Sequence, residues 1–307
     1  MKEIALLFNP GARQGRARRQ RGKLKRLLAT SGVHCEWFES RDEADLIALA
    51  RAACREYRTL VGVGGDTTFH LMLNEIMASG FPVRLGMIPT GSCNDIPREF
   101  GIRSVAEACR RLQAGRVRRC DVGVVARDGV TLNHFLGQAN FGFGVALNQY
   151  VEAKKRRGGW LAKSQVLAGA AGALRLFRGH PLLPLSISAA AGSLSGDYLL
   201  AVVSNIRFLA GGFAVSPPAQ PDDGSLDLCL VGDCSLPRFL HLFLKARRGG
   251  HRTQAEVKTL CSPAFEIAST VPFPIQADGR TVASGGQPVL FQRATIRALP
   301  AALDIIC

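Results

Sequence analysis

Long apolar runs are missing from this 307-residue chain. No stretch approaches the roughly 18–20 uninterrupted apolar residues that a membrane-spanning helix needs. The nearest, Val166 to Phe177, is short and contains Arg175. The start, MKEIALLFNPG, is too short in its apolar part for a signal peptide and reads as a strand, so a cytoplasmic location is expected. CxxC pairs are missing as well. The nine cysteines are odd in number and scattered, which argues against a disulfide scaffold or sulfur-bound metal and for reduced thiols in or near the core. Internal repeats and low-complexity linkers are also absent. Acidic residues are lacking from Gly11 to Leu28, where Arg13, Arg16, Arg18, Arg19, Arg21, Lys23, Lys25 and Arg26 follow one another.

What is present is a globular composition, 47% apolar and 21% charged, in a chain long enough for two domains. The net charge of +15 is unevenly placed, with further basic clusters at Lys154–Arg157 and Lys245–Arg252. Such surfaces attract nucleic acid, anionic lipid headgroups or nucleotide phosphates. No nucleic-acid-binding module is recognisable and the aromatics are not interleaved with the basic runs, so no specific nucleic-acid partner is expected.

Up to about residue 121, apolar strands alternate with helical patterns. Ile4–Phe8, Thr59–Val63 and Val83–Pro89 read as strands; Ala44–Arg55, Phe69–Met77 and Val105–Ala114 read as helices, as does the basic segment carrying Leu24, Leu27 and Leu28. This alternation predicts an α/β domain with a parallel sheet and ligand loops at its strand ends. Beyond Asp121 short strand-like runs dominate: Val122–Val125, Asn133–Gln138, Leu185–Ser188, Tyr198–Val203, Leu226–Val231, Phe265–Ile267 and Val289–Arg293. Helices are expected at Leu161–Phe177 and Leu236–Lys245. An antiparallel sandwich or barrel fits this pattern. The predicted division is 1–121 and 122–307, with the last residues packing back on the first domain.

Three strand-end loops carry chemistry. Gly64-Gly65-Asp66-Thr67-Thr68 follows one strand; glycines let backbone N–H groups approach a phosphate, and the helix N-terminus favours an anion. An Asp in that turn repels a bare phosphate but suits a cation lying between them. Thr90-Gly91-Ser92-Cys93-Asn94-Asp95 repeats the design, although Asp95 could serve simply as an N-cap worth about 1 kcal/mol. Asn9-Pro10-Gly11-Ala12-Arg13-Gln14-Gly15-Arg16 begins at a third strand end and brings arginines to the same crevice.

In order, these loops resemble the nucleotide-binding motifs of the diacylglycerol kinase catalytic domain superfamily: an NP loop, GGDGT and PxGTxND. Similarity continues through Phe135–Ala146, Asn205–Gly212, Pro218–Asp227 and Ile275–Gly279, the last matching a D-G-E segment. The resemblance implies an NAD kinase/phosphofructokinase-like α/β domain followed by a β-rich sandwich, with ATP and Mg2+ in the cleft between domains. It places Asn9, Gly64, Gly65, Asp66, Thr67, Thr68, Gly91, Ser92 and Asn94 at the nucleotide, and Asp66, Asp95 and Asp223 at magnesium. Asp278 is implied as the general base acting on a lipid hydroxyl of diacylglycerol or sphingoid type. Basic clusters would hold the enzyme peripherally at an anionic membrane, and a homodimer is a possible assembly.

Four positions depart from the pattern. Thr67 and Cys93 stand where the family has glycine, Leu71 where many relatives have Glu, and Arg280 where the family has Glu. If Thr67 sits at positive φ, its β-branched side chain would cost about 1–3 kcal/mol. An Arg beside Asp278 would be expected to weaken that base. The alternatives to an active lipid kinase are therefore a catalytically impaired nucleotide- or lipid-binding regulator and, less favoured, an NAD kinase-like phosphotransferase. The histidines show no ligand spacing. His70 alone lies near a loop, and Trp160 and Phe177 are read as packing residues.

Overall fold

A computed structural model of the chain describes residues 2–12, 15–157 and 165–307. Arg13, Trp160 and the start of the helix expected at Leu161 lie outside them, and the side chains of Arg16, 155–157 and 165–166 are likewise not described. The chain divides into two compact units. The first holds 1–122, 134–136 and 300–307; the second holds 123–133 and 137–299.

In the first unit β1 (Lys2–Phe8), α1 (Arg16–Thr30), β2 (Glu36–Glu39), α2 (Glu43–Glu56), β3 (Tyr57–Gly64), α3 (Asp66–Ser79), β4 (Arg84–Pro89), α4 (Asp95–Glu99) and α5 (Val105–Ala114) follow in turn. β1 pairs in parallel with both β2 and β3, and β3 pairs in parallel with β4. The order β2-β1-β3-β4 puts the loops after β1, β3 and β4 at one end of adjacent strands, where open α/β sheets bind ligands. Ala5 to Phe8 and Leu60, Val61 and Val63 are fully buried, as continuous apolar strands covered on both faces require. The four-residue β2, missed in sequence, is a half-buried edge strand whose polar ends hide it.

The following strands are β5 (Val117–Arg127), β6 (Val130–Phe135) and β7 (Gln138–Gly142). The run Asn133–Gln138 is thus not one strand: it spans the end of β6 and the start of β7, interrupted at Leu136-Gly137. Next come α6 (Phe143–Arg157), α7 (Gln165–Leu176), β8 (Leu183–Ala189), β9 (Gly192–Ser204), β10 (Phe208–Leu209), β11 (Phe213–Ala214), β12 (Leu226–Gly232), α8 (Leu236–Ala246), β13 (Val257–Ser262) and β14 (Ala264–Ala277). Short β15 (Arg280–Thr281), β16 (Ala283–Ser284) and β17 (Gln287–Pro288) precede β18 (Leu290–Ile306).

In the second unit β9 and β14 are long and antiparallel to their neighbours; each pairs with β8 along one stretch and with β7 along another. A register break between Ala268 and Phe273 lets β14 change partner without losing its ladder to β18. Helix α6 was not expected. Its glycine and asparagine obscure the apolar face, yet Phe143 at its start is fully buried against Phe177 and Phe239, with ring centroids 5.7 and 5.3 Å away. Phe177 is therefore a packing residue, as read. All nine cysteines are free. Among the described residues no helix is long and apolar enough to cross a membrane.

Candidate functional site

The three loops of the first unit lock into one another through short polar contacts. Asn9 closes its own turn by accepting from Gly11 N at 3.0 Å, while its Nδ2 donates to Thr68 Oγ1 at 3.0 Å. The β4 loop is fastened to the β3 loop by Thr90 N and Gly91 N, which donate to Gly64 O at 2.7 and 3.0 Å. Such closeness needs bare backbone. A Cβ on Gly91 would stand 2.4 Å from Gly65 Cα, and one on Gly64 would stand 2.1 Å from Thr68 Oγ1. These glycines make room for Thr68 and for each other's loop.

Asp66 opens α3 and reaches across to α4. Its Oδ2 accepts from Asp95 N at 3.2 Å and its Oδ1 from Ile96 N at 3.0 Å. Asp95 is the first residue of α4, and Asn94 occupies the cap position without a side-chain cap bond. The acceptor for this helix end comes from Asp66, so the reading of Asp95 as an N-cap is corrected: the cap is supplied through space. Asn94 takes the left-handed conformation, φ 53°, with its Oδ1 accepting from Gly91 N and its Nδ2 donating to Gly91 O, both at 3.0 Å. Carboxylate oxygens of Asp66 and Asp95 and the sulfur of Cys93 lie within 4.8 Å of one another, a group with the donor set for a divalent cation.

The substituted positions sit without the feared strain. Thr67 is exposed in the first turn of α3, and neither it nor Cys93 is among the residues with positive φ. Asn94, which tolerates that region, carries it instead. Ser92 is exposed and Leu71 is partly buried. His70 is buried, with Asn74 Nδ2 3.5 Å from its Nε2; Asn74 also binds the backbone of His134 through N and O at 2.9 and 3.1 Å.

In the second unit, Asp278 and Gly279 form the two-residue turn between β14 and β15, with φ 47° and 79°. Both are left-handed, as the tight hairpin turn demands. The Asp278 carboxylate folds over the start of β7, where Oδ1 accepts from Gly137 N at 2.8 Å and Gln138 N at 3.0 Å. Gly137 has to be bare here, because a Cβ would stand 2.6 Å from that oxygen. Asn148 of α6 supports the turn by donating to Gly279 O and to Gln276 Oε1, both at 3.0 Å. Gly137, Gln138 and Asn148 were missed in sequence; the signal for the first two was the polar residues inside the apolar run FLGQANFGFG, and Asn148 had none. Arg280 begins β15 opposite Ala277. Asp223 is exposed and accepts from Ser225 N at 2.9 Å. Asp66 and Asp95 come together in the first unit, whereas Asp223 belongs to the second. Burial, with the Asp223 charge adding to it and Arg252 opposing, pushes the Asp227 carboxyl up to about 6.

Comparison with known proteins bears on this arrangement. A family described as "Diacylglycerol kinase catalytic domain" matches residues 3–125, and one described as "YegS C-terminal NAD kinase beta sandwich-like domain" matches residues 137–307, more than half the chain. The chain belongs to the diacylglycerol kinase family. A Mycobacterium tuberculosis relative named diacylglycerol kinase is 27% identical over 308 residues, 99% of this chain and 94% of the relative. A Bacillus subtilis relative of the same name is 23% identical over 261 residues, 82% of this chain and 80% of its own length. A crystal structure of a Bacillus anthracis protein described as a diacylglycerol kinase superposes with a TM-score of 0.73 at 18% identity, covering 99% of this chain and 96% of that one. Another from the same organism reaches 0.80 at 20%, covering 99% and 97%. Family membership makes the chain a phosphotransferase-family protein with an α/β domain followed by a sandwich-like one, and implies ATP use.

Proposed function

We propose that the chain is an ATP-dependent lipid kinase that transfers the γ-phosphate to a lipid hydroxyl. The observation that carries this is the meshing of the three strand-end loops around Asp66, Asp95 and Cys93, where bare glycines and two helix starts face one another. The residues present fit a nucleotide. Gly64, Gly65 and Gly91 let the β3 and β4 loops close on the start of α3, and we assign the phosphates to that helix start, with Asn9, Thr67, Thr68, Ser92 and Asn94 around it. Asp66 and Asp95 are the ligands we assign to Mg2+. Bound ATP and Mg2+ supply the phosphoryl group and neutralise its charge.

The chain's own task is then to hold both reactants and to move one proton. Asp278 is the residue we assign to that step: its Oδ2 would take the lipid O–H proton while the hydroxyl oxygen replaced ADP on the γ-phosphoryl group. Oδ1 is held by two backbone N–H groups, which fixes the carboxylate plane before the lipid arrives. Thr67 and Cys93 fit their loops without left-handed strain, which supports an active enzyme over a silent relative. We place the protein peripherally at anionic membranes, drawn by exposed Arg18, Arg19, Lys23 and Lys25 on α1 and by Arg247, Arg248 and Arg252.

The deciding experiment incubates purified protein with labelled ATP, Mg2+ and a panel of diacylglycerols and sphingoid bases. Label should appear in lipid. No transfer to any acceptor, with nucleotide binding intact, sinks the kinase reading in favour of a binding regulator.

A further inference from the structure

Beside Asp278 lies a row of buried polar side chains for which the chemistry above has no use. Gln138 and Asn140 are two apart on β7 and so share a face, while the alternating Ala139 and Phe141 are fully buried on the other. Register places Ser204 of β9 opposite Gln138, and Gln276 of β14 opposite Asn140. All four are more than nine-tenths buried. A buried polar row on a sheet face is costly unless each group finds a partner.

Some of these groups are satisfied. Gln276 Oε1 accepts from Asn148 Nδ2 at 3.0 Å, and Ser204 Oγ accepts from Ser216 Oγ at 2.8 Å. Gln138 Nε2 donates to the carbonyl of Phe208, which fixes the orientation of its amide. Two atoms remain: Gln138 Oε1 and Asn140 Oδ1 have no hydrogen-bond partner among the described residues. Both are acceptors. Gly144 of α6 adds no side chain over Asn140, for a Cβ there would stand 3.4 Å from Oδ1. The Gln138 backbone N–H also binds Asp278 Oδ1, so this face begins one residue from the proposed base.

We propose that Gln138 Oε1 and Asn140 Oδ1 bind a hydrogen-bond donor on the acceptor lipid, an N–H or second O–H next to the hydroxyl that is phosphorylated. The proposal rests on the kinase reading and names its substrate class. An acceptor oxygen is satisfied only by a donor, and the ester groups of a diacylglycerol offer none beyond the reacting hydroxyl. A monoacylglycerol brings a second O–H, and an N-acylated amino-alcohol lipid brings an N–H. The substrate is therefore a lipid of this donor-bearing kind. A site built around unpaired polar groups discriminates strongly against ligands that leave them unpaired.

The test measures kcat/KM for dioleoylglycerol, mono-oleoylglycerol and an N-acylated long-chain amino alcohol in matched mixed micelles. The last two separate an O–H from an N–H as the recognised donor. At least one should exceed dioleoylglycerol by about tenfold or more. Gln138→Met and Asn140→Leu, of similar volume, should each narrow that preference by about tenfold while the KM for ATP stays unchanged. Equal preference among the three acceptors overturns the proposal. So does a preference that survives both substitutions, which would mean that internal water satisfies the two oxygens. If no acceptor is phosphorylated, the kinase reading fails separately. Displacement of a fluorescent acyl-chain analogue by the same three lipids, without ATP, then still decides the headgroup question.

Discussion

Asp278 combines a left-handed turn position with two backbone donors to its Oδ1, and the proton transfer is proposed for its Oδ2. Replacing it with Asn preserves the shape and leaves an oxygen to accept from Gly137 and Gln138, but removes the base. We expect Asp278→Asn to lower kcat by about 10²–10⁴-fold with nucleotide affinity unchanged. Turnover within tenfold of the parent would assign the proton elsewhere. Asp227 makes a different prediction. Its carboxyl titrates near 6 in the fold, above its unfolded value of 3.8, because burial and the Asp223 charge disfavour ionisation. The folded protein therefore holds a proton more tightly, and stability falls as pH rises from about 4 to about 6. Asp227→Asn should be more stable than the parent above pH 6, by about 1 kcal/mol once solvent screening of this half-buried group is allowed for. The advantage should vanish near pH 4, a difference that urea melts across this pH range would read directly.

Among elements, α3 shows how an altered motif keeps its backbone. In a glycine-rich turn the second position of Asp66-Thr67 invites a left-handed reading, but the helix has already begun at Asp66. Thr67 is an exposed first-turn residue, where Thr costs a little less than Gly in helix propensity. Restoring the glycine with Thr67→Gly should bring no gain in ATP affinity and a loss of about 0.3–0.5 kcal/mol in stability. Tighter nucleotide binding by that variant, measured by calorimetry, would show that the side chain obstructs the loop after all. Helix α5 was legible to the residue, since Ser104 accepts from Glu107 N as an N-cap and Gly115 closes the far end in the left-handed region. No such signals mark α6, whose place is decided by Phe143 and by the contacts of Asn148 with the Asp278 turn.

At the scale of the molecule, the last residues of β18 belong to the first unit. Ile305 pairs in parallel with Leu85 of β4, and Leu303, Ile305 and Ile306 are buried there. Ala301 N donates to the buried Asp121 at 2.8 Å, and Cys307 N donates to Arg116 O at 3.1 Å. Deleting residues 300–307 removes three buried aliphatic side chains, each worth about 1.5–3 kcal/mol, and leaves Asp121 without that donor. The first unit should lose roughly 5 kcal/mol or more and unfold at ordinary temperature. An unchanged thermal transition in the truncated chain would show that the β4 edge needs no cover.

The alternation of apolar strands and helices, the three loops at strand ends and the change of character near residue 121 were all readable in the chain, because periodicity and turn chemistry are local. So was the candidate list of acidic residues, since Asp66, Asp95, Asp223 and Asp278 lie in motifs that residue type and order suffice to mark. Tertiary structure alone decided what those acids do to their surroundings. It made Asp66 the acceptor for a helix that starts about thirty residues later, left Thr67 unstrained, and set Asp278 over Gly137, far away in sequence. It also placed two carboxamide oxygens of β7 in the interior without donors. These are hydrogen bonds and close approaches between distant segments. No local pattern encodes them, because they depend on which strands become neighbours.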